Sequence, residues 1–296
     1  MGTNNAAKGR SPWQDIFRRL KKNKLTLVAF GFLLLLTIIS ISTLVIDFVT
    51  DNQFYRDNVI SQDLQNMLHP PSLEHIFGLD EFGRNIFLRI LWGTRYSLFM
   101  GMLSVAAAVA VGGLLGAISG YYGGILDHII MRLMDILLSM PAILLAIAIV
   151  AALGSGLGNV LIAISISFVP NYARVVRAAI MTVREQEFVE AADAVGASDA
   201  RIIYEHILPN ALAPIIVQAT LGVASAILFI AALSFLGLGI QPPTPEWGAM
   251  LASARIHIRD AWHLAVVPGT VIMLTILALN IVGDGLRDAL DPKLKD

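Results

Sequence analysis

The sequence predicts an all-α, polytopic membrane protein with six transmembrane helices. Hydrophobic residues make up 56% of the 296 residues and charged residues only 15%, and the mean hydropathy is +0.71. Soluble domains carry about a quarter charged residues, so this chain holds more apolar surface than a globular core needs. The apolar residues are gathered into long stretches, and the positive charges between them favour one side. These observations indicate a helical bundle whose solvent is the lipid bilayer.

Five stretches are apolar over roughly the 20 residues that a helix needs to cross the hydrocarbon core. They run over about 26–46, 98–118, 136–153, 215–240 and 264–282. A weaker stretch, the fourth in chain order, begins near Val160 and is interrupted by Pro170, Asn171 and Arg174. We count it as a span because the charges on the two sides agree only if it crosses.

The lysines and arginines assign the two sides, because these residues accumulate in short cytoplasmic loops. With the N-terminus inside and six spans, fifteen of the 21 fall on the inner side and six on the outer side. Without the weak fourth span, the basic segment from Arg174 to Arg201 and the basic C-terminus would lie outside. We therefore predict that the N- and C-termini are both cytoplasmic.

The spans form one membrane domain with a short tail before it. Residues 1–24 contain a basic cluster and are predicted to be a cytoplasmic N-terminal tail, whereas residues 25–296 form the transmembrane domain. The first apolar run is too long for a secretory signal and no small-residue cleavage site follows it, so we expect a retained anchor. The largest inner loop, at about 174–210, is flanked in the chain by outer loops at about 47–97 and 241–263.

Several classes of function are disfavoured by the composition. The chain has no cysteine, which removes disulfides, thiolate metal sites and a cysteine nucleophile. A net charge of −1 gives no global field for nucleic acid. No ionisable residue lies at the middle of a predicted span, which argues against an ion-coupled carrier and for an energy source outside this chain. No phosphate-binding Gly-x-x-x-x-Gly-Lys-Ser/Thr loop is present, so the chain itself should not bind ATP.

Three glycines, Gly112, Gly116 and Gly120, fall four residues apart on the second predicted span. Small residues at this spacing lie on one helix face and let two helices approach closely in lipid. We expect this face to pack inside the subunit, with a pore-lining or subunit-contact role as the alternative.

The inner loop carries the strongest local pattern. Its first helix has an apolar stripe at Phe188, Ala191, Ala192 and Val195. Gly196 then suits a left-handed cap. A second helix follows, with an apolar side at Ile202, Ile203 and Ile207, and Pro209 is expected to end it. Such a pair of short helices fits a groove on another protein or packs as a hairpin on its own membrane domain, and the pattern leaves both open.

The same loop resembles a known family, the permease subunits of binding-protein-dependent ABC importers. The residues that match its cytoplasmic loop motif are Glu190, Ala191, Ala192, Gly196, Leu208 and Pro209, with His206 in place of the usual isoleucine. The resemblance implies a type I ABC importer permease fold and a loop that docks on the ATPase subunit. In that loop Glu190 is expected to make the contact, the two alanines to permit close approach, and Gly196 to set the turn.

Three other segments, at 77–85, 233–248 and 283–292, are similar to the dipeptide and oligopeptide branch of this family. Leu79 and Asn85 stand where threonine and aspartate are usual. With six spans and a short N-terminus, the chain is most similar to the C-type permease of these systems. Candidates for contact with the binding protein or the partner permease are Asp80, Gly83, Arg84, Pro245 and Trp247. A local fold that closes the pore mouth is the alternative for these five residues.

The resemblance implies a complex in a bacterial or archaeal cytoplasmic membrane. Its other members are a second, different permease, two ATP-binding subunits that hold ATP and magnesium, and an extracytoplasmic substrate-binding protein. This chain would form half of the translocation pathway for di- or oligopeptides and would itself hold no cofactor or metal. The same machinery importing nickel, another metal chelate or glutathione-like peptides is an alternative, and an ion-coupled secondary carrier is an alternative of another class. No substrate-binding residue is assigned.

Overall fold

The computed structural model describes Leu20 and residues 23–290, and this part of the chain is helical. Its main helices are α1 Lys24–Val49, α2 Ile86–Tyr122, α3 Gly124–Leu138, α4 Ala142–Leu153, α5 Leu157–Arg184, α6 Glu187–Ala194, α7 Asp199–Phe235, α8 Trp247–Ser253 and α9 His263–Leu290. A single antiparallel bridge joins Leu79 to Asn85. The predicted tail at 1–24 falls outside the described residues except at Leu20, Asn23 and Lys24, as do the basic residues after Leu290.

Five of these helices, α1, α2, α5, α7 and α9, are long and apolar enough to cross a membrane. Helices α3 and α4 pass the same test together but are bent by 85°, so the spans number five, or six if this pair is one broken span. The prediction of an all-α polytopic membrane protein is therefore confirmed, with the third predicted span broken.

The weak fourth stretch is helix α5, which continues through Pro170 for 28 residues. It is the most buried of the five long helices. Its buried serines meet other helices, as Ser165 does when its hydroxyl donates to the Ser104 carbonyl at 3.2 Å, whereas Asn171 and Arg174 are exposed. Position in the bundle, rather than hydropathy, explains how this helix tolerates its serines.

The second span begins at Ile86, twelve residues before the predicted start at 98. Asn85 caps it, since its side chain accepts a hydrogen bond from the Leu88 N–H at 3.3 Å. Arg89 and Arg95, which were expected in the outer loop, belong to this helix. The prediction was wrong here because carboxylates outside the helix compensate both charges: Asp80 lies beside Arg89, and Asp47 pairs with Arg95. A window of local hydropathy does not detect such pairs.

The third span was predicted as one helix over 136–153, and the structure divides it. Helix α3 ends at Leu138 and α4 begins at Ala142, with Pro141 in the N-cap position of α4. Proline lacks an N–H and disfavours helical conformation in the residue before it, so the helix breaks there. Only twelve residues remain for α4.

Pro209 does not end a helix, contrary to the prediction. Residues Ile202–Ile207 form a π-helical turn, and the N–H of Leu208 reaches back to the Ile203 carbonyl. This wider turn accommodates a proline that has no N–H to donate and would crowd the carbonyl four residues earlier. Helix α7 therefore runs without interruption from Asp199 to Phe235.

Helices α2 and α5 pack along the face that carries the three glycines. A side-chain Cβ placed on Gly112 would lie 2.5 Å from the Val169 carbonyl oxygen, and one on Gly120 would lie 2.8 Å from that of Arg177. Gly116 faces the backbone of Ala173 even more closely. The glycine face thus meets α5 of the same chain, and the two backbones are nearly in contact.

The bundle has two distinct ends. Asp47 meets Trp92 and His263 meets Leu79, so these residues share one end with Trp247, which we call the Trp247 end. The opposite end carries Gly196, and there Tyr121 contacts Asp199 and Thr26 lies against Gly285. Both described ends of the chain, Lys24 and Leu290, therefore lie at the Gly196 end.

Candidate functional site

The segment at the Gly196 end is built around a tight helix cap. Gly196 has φ of +82° and closes α6 with two hydrogen bonds. Its own N–H donates to the Asp193 carbonyl at 2.8 Å, and the Ala197 N–H donates to the Ala192 carbonyl at 3.1 Å. This is the Schellman arrangement, which favours glycine at the left-handed position. Ser198 then occupies the N-cap position of α7, although its side chain makes no capping hydrogen bond.

Helix α6 divides its apolar residues between two faces. Val189 and Ala192 are buried against Ile202 and Ile207 of α7 and against Val176 and Ile180 of α5. The other members of the predicted stripe face away from the bundle: Phe188 is 44% exposed, Val195 is 83% exposed, and Ala191 is also exposed. The prediction that these four residues form one apolar stripe is therefore wrong in part. Only Ala192 packs inward, and the other three face outward.

The buried side of α6 connects the loop to the spanning helices. Tyr121, near the end of α2, donates a hydrogen bond to Asp199 at 3.0 Å. An open cleft of about 640 Å³ remains beside this contact, lined in part by Tyr122, Arg184, Glu190 and Asp193. Glu190 is exposed on α6 and no ion pair involves it among the described residues. A force applied to α6 would thus reach α5 and α7 directly, and α2 through the contact between Tyr121 and Asp199.

Leu208 and Pro209, the last two residues of the loop motif, lie on α7 just after the π-helical turn. Leu208 is half-buried and Pro209 is exposed. The next residue, Asn210, donates from its side chain to the His206 carbonyl at 2.6 Å. The two motif residues therefore mark where the loop continues into α7, not a separate stop.

At the Trp247 end, the five predicted contact residues lie inside the fold. Asp80 accepts hydrogen bonds from the Phe82 and Arg84 N–H groups, each at 2.9 Å, and its other oxygen pairs with the Arg84 Nε at 2.7 Å. Gly83, at φ +72°, forms the turn between them. Asp80 and Arg84 are only 5% and 4% exposed. They hold this segment together and offer little surface to a partner.

Trp247 is fully buried, and its indole N–H donates to the Ile90 carbonyl at 3.1 Å. Pro245 is also buried, and its carbonyl oxygen lies against Gly93, where a Cβ would be 2.6 Å away. Together these contacts attach the segment before α8 to the first turns of α2. Contact with the binding protein or the partner permease stays a prediction for these residues, and it cannot run through their side chains in this conformation.

Sequence reasoning missed three buried charged groups at this end. Glu246 caps α8 by accepting from the Gly248 and Ala249 N–H groups, each at 2.8 Å, and it also accepts from the Ser97 hydroxyl at 3.1 Å. Asp47 accepts from the Trp92 indole at 3.0 Å and pairs with Arg95 at 2.5 Å. Arg89 is buried beside Asp80 at 3.3 Å. Glu246 gave no local signal, because glutamate is not among the residues that usually cap a helix N-terminus.

No group of three or more His, Asp or Glu side chains within the described ranges has the geometry to hold a metal ion. His69 and His75 lie with ring centroids 5.8 Å apart, whereas His263 is buried and faces the Leu79 carbonyl. Neither place has the three ligands that a metal centre would need.

Long apolar helices, with one bent pair among them, indicate a multi-pass membrane protein. Residues 112–296 match the family described as the binding-protein-dependent transport system inner membrane component. The chain belongs to this family and is a multi-pass inner-membrane component of an ABC importer. Residues 11–71 match the N-terminal transmembrane domain of oligopeptide transport permease C.

Two curated relatives are similar over almost the whole chain. The dipeptide transport system permease protein DppC of Alkalihalophilus pseudofirmus is 50% identical over 285 residues, which cover 96% of this chain and 91% of the relative. The glutathione transport system permease protein GsiD of Escherichia coli is 46% identical over 287 residues, which cover 97% and 92%. The resemblance to peptide permeases of the C type is thereby confirmed.

Solved structures agree in fold. A chain of the MetNI methionine ABC transporter in an inward-facing conformation has a TM-score of 0.59 at 19% identity, covering 70% of this chain and 98% of that one. An amino acid ABC transporter solved with histidines has a TM-score of 0.54 at 14% identity, covering 68% and 94%. At these identities the similarity establishes a shared fold and nothing about cargo.

Proposed function

We propose that this chain is the C-type permease of an ATP-driven importer of di- or oligopeptides in a bacterial or archaeal cytoplasmic membrane. It forms half of the translocation pathway, and a second, different permease forms the other half. The observation that carries this proposal is the 50% identity to a dipeptide permease over 96% of the chain. The match of residues 11–71 to the N-terminal domain of oligopeptide transport permease C supports the subunit type.

The energy comes from two partner ATPase subunits, which bind ATP and magnesium. We place their docking surface on the outward face of α6, where Glu190 and Ala191 lie between the exposed Phe188 and Val195. Exposed apolar groups in a polar setting are typical of protein–protein contacts. Glu190 supplies a charged contact in this surface, and Ala191 lets the partner approach the helix closely.

The inward face of α6 transmits the movement of the ATPases. Ala192 and Val189 are buried against α5 and α7, so a shift of α6 displaces both helices together. Gly196 fixes the turn that keeps α6 short and rigid, while Leu208 and Pro209 continue the loop into α7. A bundle biased between two packings by a partner is a common form of switching.

The Gly196 end faces the cytoplasm, so both termini are cytoplasmic. This orientation is supported by the excess of lysine and arginine in the segments at that end. Because the chain has no cysteine, Ser198→Cys and Ser61→Cys each introduce a single exposed thiol. An impermeant maleimide added to intact cells is expected to label the variant at position 61 and not the one at position 198. The reverse pattern would show that the orientation is inverted.

On the outer side, the binding protein and the partner permease contact the segments around Asp80–Arg84 and Pro245–Trp247. The burial of Asp80, Gly83, Arg84, Pro245 and Trp247 supports this role indirectly, since these residues hold neighbouring exposed groups in place. Phe82, 38% exposed, is one such neighbour.

The test is uptake of a labelled dipeptide into proteoliposomes that hold this chain with its partner permease, both ATPases and the binding protein. Wild-type complex is expected to need ATP, and Glu190→Arg is expected to lose uptake and to retain less ATPase on purification. Asp57→Arg is the matched control, because it makes the same charge change on an exposed residue at the opposite end. ATPase retained equally by both variants would remove Glu190 from the docking surface.

Uptake into the same vesicles also identifies the cargo. Glutathione is the second candidate, because a glutathione permease is 46% identical over 97% of the chain. ATP-driven uptake of glutathione or of a nickel chelate, without dipeptide uptake, would keep the importer and replace its cargo. Uptake by this chain alone, driven by an ion gradient, would contradict the importer assignment.

A further inference from the structure

A second cleft opens between α3 and α5, with a volume of about 500 Å³. This size lies within the roughly 300–1,000 Å³ range of small-molecule sites. Most of its lining is charged. Its lining residues include Asp127, Met131, Arg132, Asp135, Arg174 and Arg177.

Two ion pairs cross this cleft. The guanidinium of Arg177 makes a two-point contact with Asp127, at 2.5 and 2.6 Å. Arg174 pairs with Asp135 at 2.5 Å, and both of these side chains are about half exposed. Arg132 lies three residues before Asp135 on the same helix, which is pairing distance, but Asp135 pairs across to α5 instead.

This change of partner leaves Arg132 available. It is exposed, it lines the cleft, and no ion pair or hydrogen bond involves its side chain among the described residues. The lining therefore holds three guanidinium groups, two carboxylates and the imidazole of His128, so one guanidinium in the cleft has no carboxylate partner. A guanidinium of this kind is suited to bind a carboxylate through two parallel hydrogen bonds.

Helix α3 turns its charged side toward α5 and its apolar side outward. Ile125, Ile129, Leu133 and Ile136 are each more than half exposed on that outer side. Arg174 lies seventeen residues after Leu157, the first residue of α5. At 1.5 Å per residue this is about 26 Å, which is less than the roughly 30 Å thickness of the hydrocarbon core. Charges within a membrane domain face the bundle interior or a water-filled cavity. The charged lining therefore makes the cleft an aqueous face, whereas the opposite side of α3 is apolar.

We propose that this cleft is a station on the path of the cargo, at which Arg132 binds the terminal carboxylate of a peptide. This inference rests on the proposed peptide-import function. Asp135, half exposed beside Arg174, provides an acceptor for the ammonium end of the same peptide. A site on a transport path must bind weakly enough to release its ligand, and exposed groups of this kind meet that requirement.

The test uses a single cysteine in the complete complex, held in nanodiscs so that both sides are accessible. Met131→Cys places a thiol in the cleft, and its labelling by a charged thiol reagent is timed with no peptide, a dipeptide, or the same dipeptide as its C-terminal amide. At about ten times the Kd, the free acid should slow labelling about tenfold, since only unoccupied sites react. The amide should give little protection.

Three further variants complete the design. Adding Arg132→Gln to Met131→Cys should abolish protection by the acid, and Arg132→Lys should restore part of it. Ile129→Cys, on the apolar side of α3, should show no protection. A thiol at position 131 that is unreactive in every state, or equally protected by acid and amide, would overturn this inference. ATP-driven peptide uptake measured on the same complex shows separately whether the proposed function stands.

Discussion

The close packing of α2 on α5 allows a prediction with an internal control. Gly112 and Gly113 are adjacent in the same helix, yet a Cβ on Gly112 would lie 2.5 Å from the Val169 carbonyl oxygen and 3.0 Å from the Ala173 N. A Cβ on Gly113 would meet nothing closer than a Val176 methyl at 3.9 Å. The change to compare is therefore Gly112→Ala with Gly113→Ala.

The magnitude follows from the backbone atoms involved. An ordinary Cβ contact begins at 3.4 Å, so alanine at position 112 must separate α2 from α5 by about 0.9 Å. A helix carbonyl cannot turn away as a flexible side chain can, and overpacking of this kind costs about 1–3 kcal/mol. Both substitutions gain similar intrinsic helix propensity, about 1 kcal/mol in soluble helices, which cancels in the difference. Gly112→Ala should therefore be about 1–3 kcal/mol less stable than Gly113→Ala.

The measurement is the free energy of unfolding of the purified subunit in a reversible detergent titration. Gly113→Ala should equal or exceed the wild-type stability, and Gly112→Ala should fall below it. Equal values for the two variants, within about 0.5 kcal/mol, would show that the helices are not in contact at Gly112 or that the interface adjusts without cost.

Three other outcomes are expected. Trp247→Phe should cost about 1–2 kcal/mol in unfolding free energy, because it deletes a fully buried hydrogen bond, whereas Trp262→Phe at an exposed position should change little. Asp47→Ala should cost about 3–5 kcal/mol, because it leaves a mostly buried arginine unpaired, whereas Glu205→Ala in an exposed pair should give no measurable change. Gly196→Val should lower peptide uptake more than Gly196→Asn, since asparagine tolerates a positive φ and nothing crowds the position.

Each of these comparisons has a contradicting result. Similar losses for the two tryptophan variants would mean that the buried hydrogen bond of Trp247 adds no measurable stability. Similar losses at positions 47 and 205 would mean that burial does not govern the ion pairs. Uptake that is equal for valine and asparagine at position 196 would show that the left-handed turn is not needed for coupling.

Much of the architecture could be predicted from the sequence because its causes are local. A span of about 20 apolar residues is a property of one segment, and the charge count that required a fourth span used only the order of segments along the chain. The turn at Gly196 was predictable for the same reason, since a glycine after an apolar helical stripe favours a left-handed cap. The resemblance of the loop to a permease family was likewise a local pattern.

What the sequence could not determine depends on contacts between distant segments. The extension of α2 to Ile86 relies on Asp47, more than forty residues away, to pair with Arg95. The burial of Trp247 relies on the Ile90 carbonyl in α2.

Contacts between distant segments also determined how the inner loop packs and how the charges of the second cleft pair. Which face of α6 packs inward was set by Ile202 and Ile207 of α7, and the partner of Asp135 was set by α5. Local spacing determined which helices form and how many cross the membrane. Tertiary packing alone decided where each one begins, which of its faces is buried and which charges are left to meet a ligand.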